Sequence, residues 1–165
     1  MSLPLMIWIF PWRRSQLVAL SGLPNPTFDV RFAYSSQELL RALSNFGPEG
    51  RYLYAISEVT LDFIFPLIYT PFLIGAMVSI FSKAFPVKHP LQKLVYLPLG
   101  VFLADILENI SLAWLLLAYP PACVPLAWSA SIFSLLKWLW GVLVLLLLVT
   151  GLLSLALTWI RKKAE

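Results

Sequence analysis

Four carboxylates lie inside stretches that otherwise read as membrane: Glu58 and Asp62 early in one apolar segment, Asp105 and Glu108 in the middle of the next. A charged carboxylate at the centre of a membrane helix costs roughly 2.5 to 3.5 kcal/mol on insertion scales. An accident of packing can carry one such group. Four of them, with Asn109 alongside and Lys137 on a third segment, are the pattern of a polar site built between helices. Buried carboxylates whose ionised form is disfavoured can hold and release protons, bind cations, or act as acid and base. Asp62, Asp105 and Glu108 are therefore the candidate catalytic groups. The candidate pocket comprises Glu58, Asp62, Tyr69, Asp105, Glu108, Asn109, Ser134 and Lys137.

Helical spacing brings these residues onto shared faces. Glu58, Asp62 and Tyr69 follow i, i+4, i+11, and Asp105, Glu108 and Asn109 follow i, i+3, i+4. Lys137 lies on a stripe with Ala130, Ser134, Gly141, Val144 and Gly151, and small residues on one stripe mark helix–helix contact in membranes. Counting about 1.5 Å per residue from the basic ends puts Glu58 and Lys137 near one membrane border, Asp62 below them, and Asp105 and Glu108 near the middle. This is a funnel opening outward. Four carboxylates against Lys137 leave a formal charge of −3 if all ionise, which favours shared protons or a bound cation. Arg51, just outside, could relieve one charge.

Plainer readings stand beside this one. Glu58 and Lys137 could sit at headgroup level, with Lys137 snorkelling. Asp105 and Glu108 could be structural glue across helices. Tyr69 fits packing, and His89 beside Pro90 fits a solvated loop.

The elements that must position these groups are helices. The chain is 60% hydrophobic and only 12% charged, with mean hydropathy +0.84, half the usual charged share. Its apolar runs are long and unbroken, unlike the alternating ten-residue segments of a barrel. Three spanning segments are expected, about Tyr52 to Ser82, Leu94 to Ala118 and Ala127 to Ile160. Leu3 to Trp12 is too short to cross and meets Arg13 and Arg14, so residues 1–23 read as a partial or interfacial helix. In the 24–51 segment, Ser35-Ser36-Gln37-Glu38 reads as a capping box. It opens an amphipathic helix with Leu39, Leu40, Leu43 and Phe46 on one face, ended by Gly47-Pro48-Glu49-Gly50. That helix lies on the outer surface or lids the bundle. The expected fold is an all-α integral membrane helical bundle in one domain, 1–165. It has three full transmembrane helices in 52–165 plus a partial N-terminal helix, or four.

The net charge of +4 indicates topology and not nucleic acid. Lys83, Lys88 and Lys93 share one loop, and Arg161, Lys162 and Lys163 close the chain, so both are expected in the cytoplasm. The start lacks the basic region of a cleaved signal peptide and is expected to be retained. Cys123 is the only cysteine, which excludes an intrachain disulfide, and one Cys with one His argues against a zinc or di-iron site. No metal and no cofactor are expected. Phosphate-loop, nucleophile-elbow, His-Glu-x-x-His and Cys-x-x-Cys motifs are absent.

Several stretches carry a resemblance: Phe28-Asp29-Val30-Arg31-Phe32-Ala33-Tyr34-Ser35, Gly47-Pro48-Glu49-Gly50-Arg51-Tyr52, Asp62-Phe63-Ile64-Phe65-Pro66-Leu67-Ile68-Tyr69, Asp105-Ile106-Leu107-Glu108-Asn109 and Lys137-Trp138. Across most of residues 17 to 140 the chain resembles a family of small, uncharacterised prokaryotic multi-pass membrane proteins. The resemblance implies a four-helix bundle in the inner membrane and implies no activity. The chain departs from it at its start, where such proteins carry a full first helix.

Three functional readings follow. The first is a carboxylate-rich pocket, open to the extracytoplasmic side, that binds or transports a lipid-soluble molecule, a cation or a proton. The second is an intramembrane acid–base enzyme on an apolar substrate. The third is a structural or assembly partner of a larger membrane complex. The expected partners are membrane lipids and a small apolar ligand or cation.

Overall fold

The computed structural model describes residues 2–119 and 124–164. Within them lie five α-helices: α1 (Ser2–Ser21), α2 (Ser36–Asn45), α3 (Gly47–Ala84), α4 (Pro98–Leu117) and α5 (Val124–Ala164). A 3-10 helix, Pro90–Tyr96, leads into α4. Three stretches, Gly47–Ala84, Pro90–Leu117 and Val124–Arg161, are long and apolar enough to cross a membrane. The molecule is an all-α membrane helical bundle, as its sequence predicts. Pro120, Pro121 and Cys123 lie outside the described residues.

The local signals act where expected. Gly22, at φ 67°, ends α1, and its N–H bonds back to the Val18 carbonyl at 2.9 Å, the left-handed cap that glycine allows without a Cβ penalty. Ser35 caps α2, its hydroxyl accepting from the Glu38 N–H at 3.0 Å. Leu39, Ala42 and Leu43 form the buried face of α2, continued by Phe46. Residues 47–50 do more than end α2. Gly47 turns the chain at φ 63°, and Pro48 sits in the first turn of α3, where its missing N–H costs nothing. α3 then runs 38 residues, about 57 Å at 1.5 Å each, through Pro66 and Pro71 without a break.

Packing divides the interior into three layers. The apolar core at the α2 end gathers Leu17, Phe28, Leu39, Leu43, Phe46, Tyr54, Leu112, Leu116 and Ala130. The core at the opposite end gathers Met77, Phe81, Val95, Val101 and Val144. On every long helix the polar candidates fall between the two: 58–69 between Tyr54 and Met77, 105–109 between Val101 and Leu112, 134–137 between Ala130 and Val144. The remaining faces of α3 and α5 expose Ile64, Leu67, Ile68, Leu145, Leu146, Leu152 and Leu153, as lipid contact requires.

The connection 22–35 inserts into the bundle instead of lying on its surface. Phe28, Asp29 and Tyr34 are all buried, and the Phe28 N–H donates to the Tyr54 hydroxyl at 2.6 Å. α1 packs on α3, where a Cβ on Gly50 would approach Leu20 Cβ to 3.3 Å. α5 packs on α4 and α3.

Candidate functional site

Two ionic groups occupy the polar layer. In the first, Lys137 of α5 sits between the two acids of α4, its Nζ 2.6 Å from Glu108 Oε2 and 3.2 Å from Asp105 Oδ1. The same ammonium donates to the Asp29 carbonyl at 2.7 Å. The Tyr69 hydroxyl donates to Asp105 Oδ2 at 2.9 Å, and the Tyr34 hydroxyl to Glu108 Oε1 at 3.1 Å. Burial and the adjacent Glu108 carboxylate push the Tyr34 phenol well above its ordinary value, so it remains a donor.

In the second group, Arg13 of α1 is 2% exposed and forms ion pairs with Asp62 and, at 3.2 Å, with Asp29 Oδ2. It also reaches Ser57 Oγ at 3.4 Å. Tyr54 donates to Asp29 Oδ1 at 3.0 Å. Glu58 is fully buried here, and neither of its carboxylate oxygens has a hydrogen-bond partner among the described residues. Carboxylate oxygens of Asp29, Glu58 and Asp62 all lie within 4.8 Å of one another, so among the described residues these three form a group that could hold a metal. The sequence reading expected none.

Of the eight pocket residues read from the sequence, Asp62, Tyr69, Asp105, Asn109 and Lys137 line a cavity beside this layer, whereas Glu58, Glu108 and Ser134 are buried behind it. Asn109 Nδ2 donates to the Asp62 carbonyl at 2.8 Å, tying α4 to α3, and Ser134 Oγ donates to the Arg31 carbonyl at 3.1 Å. Both Glu58 and Lys137 turn inward: Glu58 is fully buried, and Lys137 pairs with Asp105 and Glu108. Arg51 relieves no buried charge. It lies 4.0 Å over the Tyr119 ring and reaches the Leu43 carbonyl at 3.5 Å. His89 is half-buried, accepts from the Leu91 N–H at 3.3 Å and stacks on Phe85 at 4.8 Å, so it is a helix cap and not a free loop residue.

Sequence reasoning missed Arg13, Asp29, Tyr34 and Tyr54. The −3 imbalance was a usable signal, because a bundle holding it needs a second cation, and Arg13 lies in the one apolar segment not assigned to the bundle. With all groups counted, five carboxylates face Arg13 and Lys137, so the formal charge is again −3 if every group ionises.

A cavity of about 1260 Å³ opens beside this layer. Arg13, Arg14, Arg31, Asp29, Asp62, Asp105, Asn109 and Lys137 are among its polar lining, and Phe10, Phe65, Tyr69, Val101, Trp138 and Gly141 among its apolar lining. Its lining comes from α1, the connection 22–35, α3, α4 and α5; α1 packs on α3, and α5 packs on α4 and α3. The exposed residues at its rim include Pro11, Arg14, Pro24, Asn25, Phe65 and Trp138. In place of the expected funnel through the end of the bundle there is a side cleft, because Phe28, Tyr34 and α2 fill that end.

No protein-family model, curated protein or solved structure matches this chain.

Proposed function

We propose that this chain binds an amphipathic, lipid-soluble molecule in the cleft between α1 and α5. The ligand's head would lie against the Arg13, Asp62, Asp105 and Lys137 layer, and its apolar body along Phe10, Phe65, Val101 and Trp138. One observation carries the reading: a cavity of about 1260 Å³ with both ionic and apolar lining, above the range of about 300 to 1,000 Å³ common for small-molecule sites. Four cations, Arg13, Arg14, Arg31 and Lys137, and three carboxylates, Asp29, Asp62 and Asp105, line the cleft, so its near-balanced charge suits a polar or zwitterionic head. The resemblance to small prokaryotic membrane proteins and the basic residues at 83–93 and 161–163 support an inner-membrane chain with a cytoplasmic C-terminus. The cleft would then face the outer leaflet.

Gly141 tests the reading. It lines the cleft, and a Cβ built there meets nothing within 4 Å. Gly141→Leu should fill the space without strain and raise helix propensity by up to about 1 kcal/mol. Lipid retained by the purified protein, measured by native mass spectrometry, should fall for this variant while thermal stability holds or rises. Unchanged lipid retention in a folded Gly141→Leu protein rejects the proposal.

A second reading, acid–base catalysis on such a molecule, is favoured by one chain of contacts: the Tyr69 phenol, Asp105 and Lys137 at the cleft wall lead on to the buried Glu108. Product formation from extracted lipids, lost in Asp105→Asn at full stability, would select it.

A further inference from the structure

Glu58 is the least explained residue in the molecule. A buried carboxylate without donors carries its full desolvation cost, and here both oxygens lack a partner among the described residues at 0% exposure. Its neighbours are not donors but two further carboxylates, Asp29 and Asp62. Arg13 does not bond it among the described contacts: its two terminal nitrogens bond Asp62, Ser57 and Asp29, and its Nε finds no acceptor. Two requirements follow together. The unpartnered Glu58 oxygens need a positive or protic ligand, and three carboxylates against Arg13 leave −2 when ionised.

We propose that Asp29, Glu58 and Asp62 form a binding site for a hard divalent cation of the size of Ca2+. The geometry suits such an ion. Ca2+ takes oxygen ligands at 2.3–2.6 Å, so two oxygens on opposite sides of it lie up to about 5.2 Å apart. The three carboxylates fall within that limit, their oxygens all within 4.8 Å of one another. A divalent charge cancels the residual −2. Glu58 anchors the ion from behind, while Asp29 and Asp62 also line the cleft and give the ion both a path and room for water ligands. Arg13, bonded to two of the three ligands, competes with the ion and holds the empty site together. Asp29 joins this site to the first ionic group, since its carbonyl accepts from Lys137, but Glu58, which does not line the cleft, belongs to this site alone.

The test is equilibrium binding of radiolabelled Ca2+ to the full chain in zwitterionic nanodiscs after chelator treatment. Wild type should bind one Ca2+ per chain. Glu58→Gln, which keeps shape and removes the charge, should weaken binding at least tenfold, and Glu49→Gln, an exposed acid, should leave it unchanged. Arg13→Gln removes a like charge and should tighten binding. If that variant is unstable, added Ca2+ should restore its folded fraction. Thermal unfolding of wild type with and without Ca2+ should show a saturable rise in Tm, a readout that survives any failure of the variants to fold. Absence of stoichiometric binding and of a Tm shift in wild type means that a proton satisfies Glu58, and the proposal is overturned. Binding that is equal in wild type and in folded Glu58→Gln overturns it as well.

Discussion

At the scale of single residues, Arg13 decides how the first helix is read. An arginine in an apolar segment argues against burial only while it is alone. Paired with Asp62 and Asp29, and lying 5.2 Å over the Phe10 ring, it becomes the reason for α1 to dock. Removing one partner of a buried ion pair typically costs about 3 to 5 kcal/mol, because the other charge is left uncompensated. Arg13→Met should therefore destabilise the protein by about 3 kcal/mol or more. Asp62→Asn in the same background should recover part of that loss, since the orphaned charge goes with it. A double-mutant cycle on thermal unfolding in detergent measures the coupling, and additive losses would mean that the pair holds nothing together. The other buried ionic residues were legible for a simple reason. Glu58, Asp62, Asp105, Glu108 and Lys137 sit on long helices, where spacing alone fixes the face. Asp29 and Tyr34 sit on an irregular connection, where no period tells inside from outside, so their burial appears only once the fold is known.

At the scale of elements, the boundaries came from local chemistry and the contacts did not. Ser35 as a cap and the apolar face of α2 are readable because both act within a few residues. The junction at Gly47 is half-readable: glycine and proline mark a break, but whether the next turn is loop or helix depends on the packing of α1 against Gly50. The small-residue stripe on α5 predicted close contact, and Gly151 supplies it. A Cβ there would meet Ile80 Cγ2 at 2.6 Å and Phe81 Cε1 at 2.9 Å. Gly100 is nominally tighter, with Trp140 Cζ3 only 1.3 Å from the added atom. The ranking of costs should be the reverse of those distances. Phe81 is fully buried and has nowhere to go, whereas Trp140 is 40% exposed and can swing toward lipid. Alanine gains about 1 kcal/mol of helix propensity over glycine at either site, so the difference isolates packing. Gly151→Ala should lower Tm by an amount equivalent to about 1 to 3 kcal/mol of overpacking, and Gly100→Ala should be close to neutral. Parallel melts of the two variants check this, and a larger loss at Gly100 would mean that Trp140 is fixed by contacts stronger than its exposure indicates.

At the scale of the whole molecule, the polar layer lies between two apolar cores, and the asymmetry of the ends gives it a direction. One end is closed by α2 and the inserted connection 22–35, a dense aromatic cap built on Phe28, Phe46 and Tyr54. The other carries Lys83, Lys88 and Lys93 near the 3-10 helix, and Arg161 at the end of α5. Hydropathy made the number of long helices plain. The side cleft was not legible, because it depends on which helices fail to meet, and local periodicity carries no information about pairs distant in the chain. Basic residues close to membrane ends stay on the cytoplasmic side, so the capped end should face outward and the cleft should open at the level of the outer leaflet. Reporter fusions in the loop at Lys88 and behind Glu165 should therefore be active only as cytoplasmic reporters, while an insertion at Asn25 should be labelled from outside by a membrane-impermeant reagent. Export-active fusions at Lys88 or Glu165 would invert the bundle. The cleft would then draw its ligand from the inner leaflet, and the carboxylates of Asp29 and Asp62 would meet cytoplasmic cations instead of external ones.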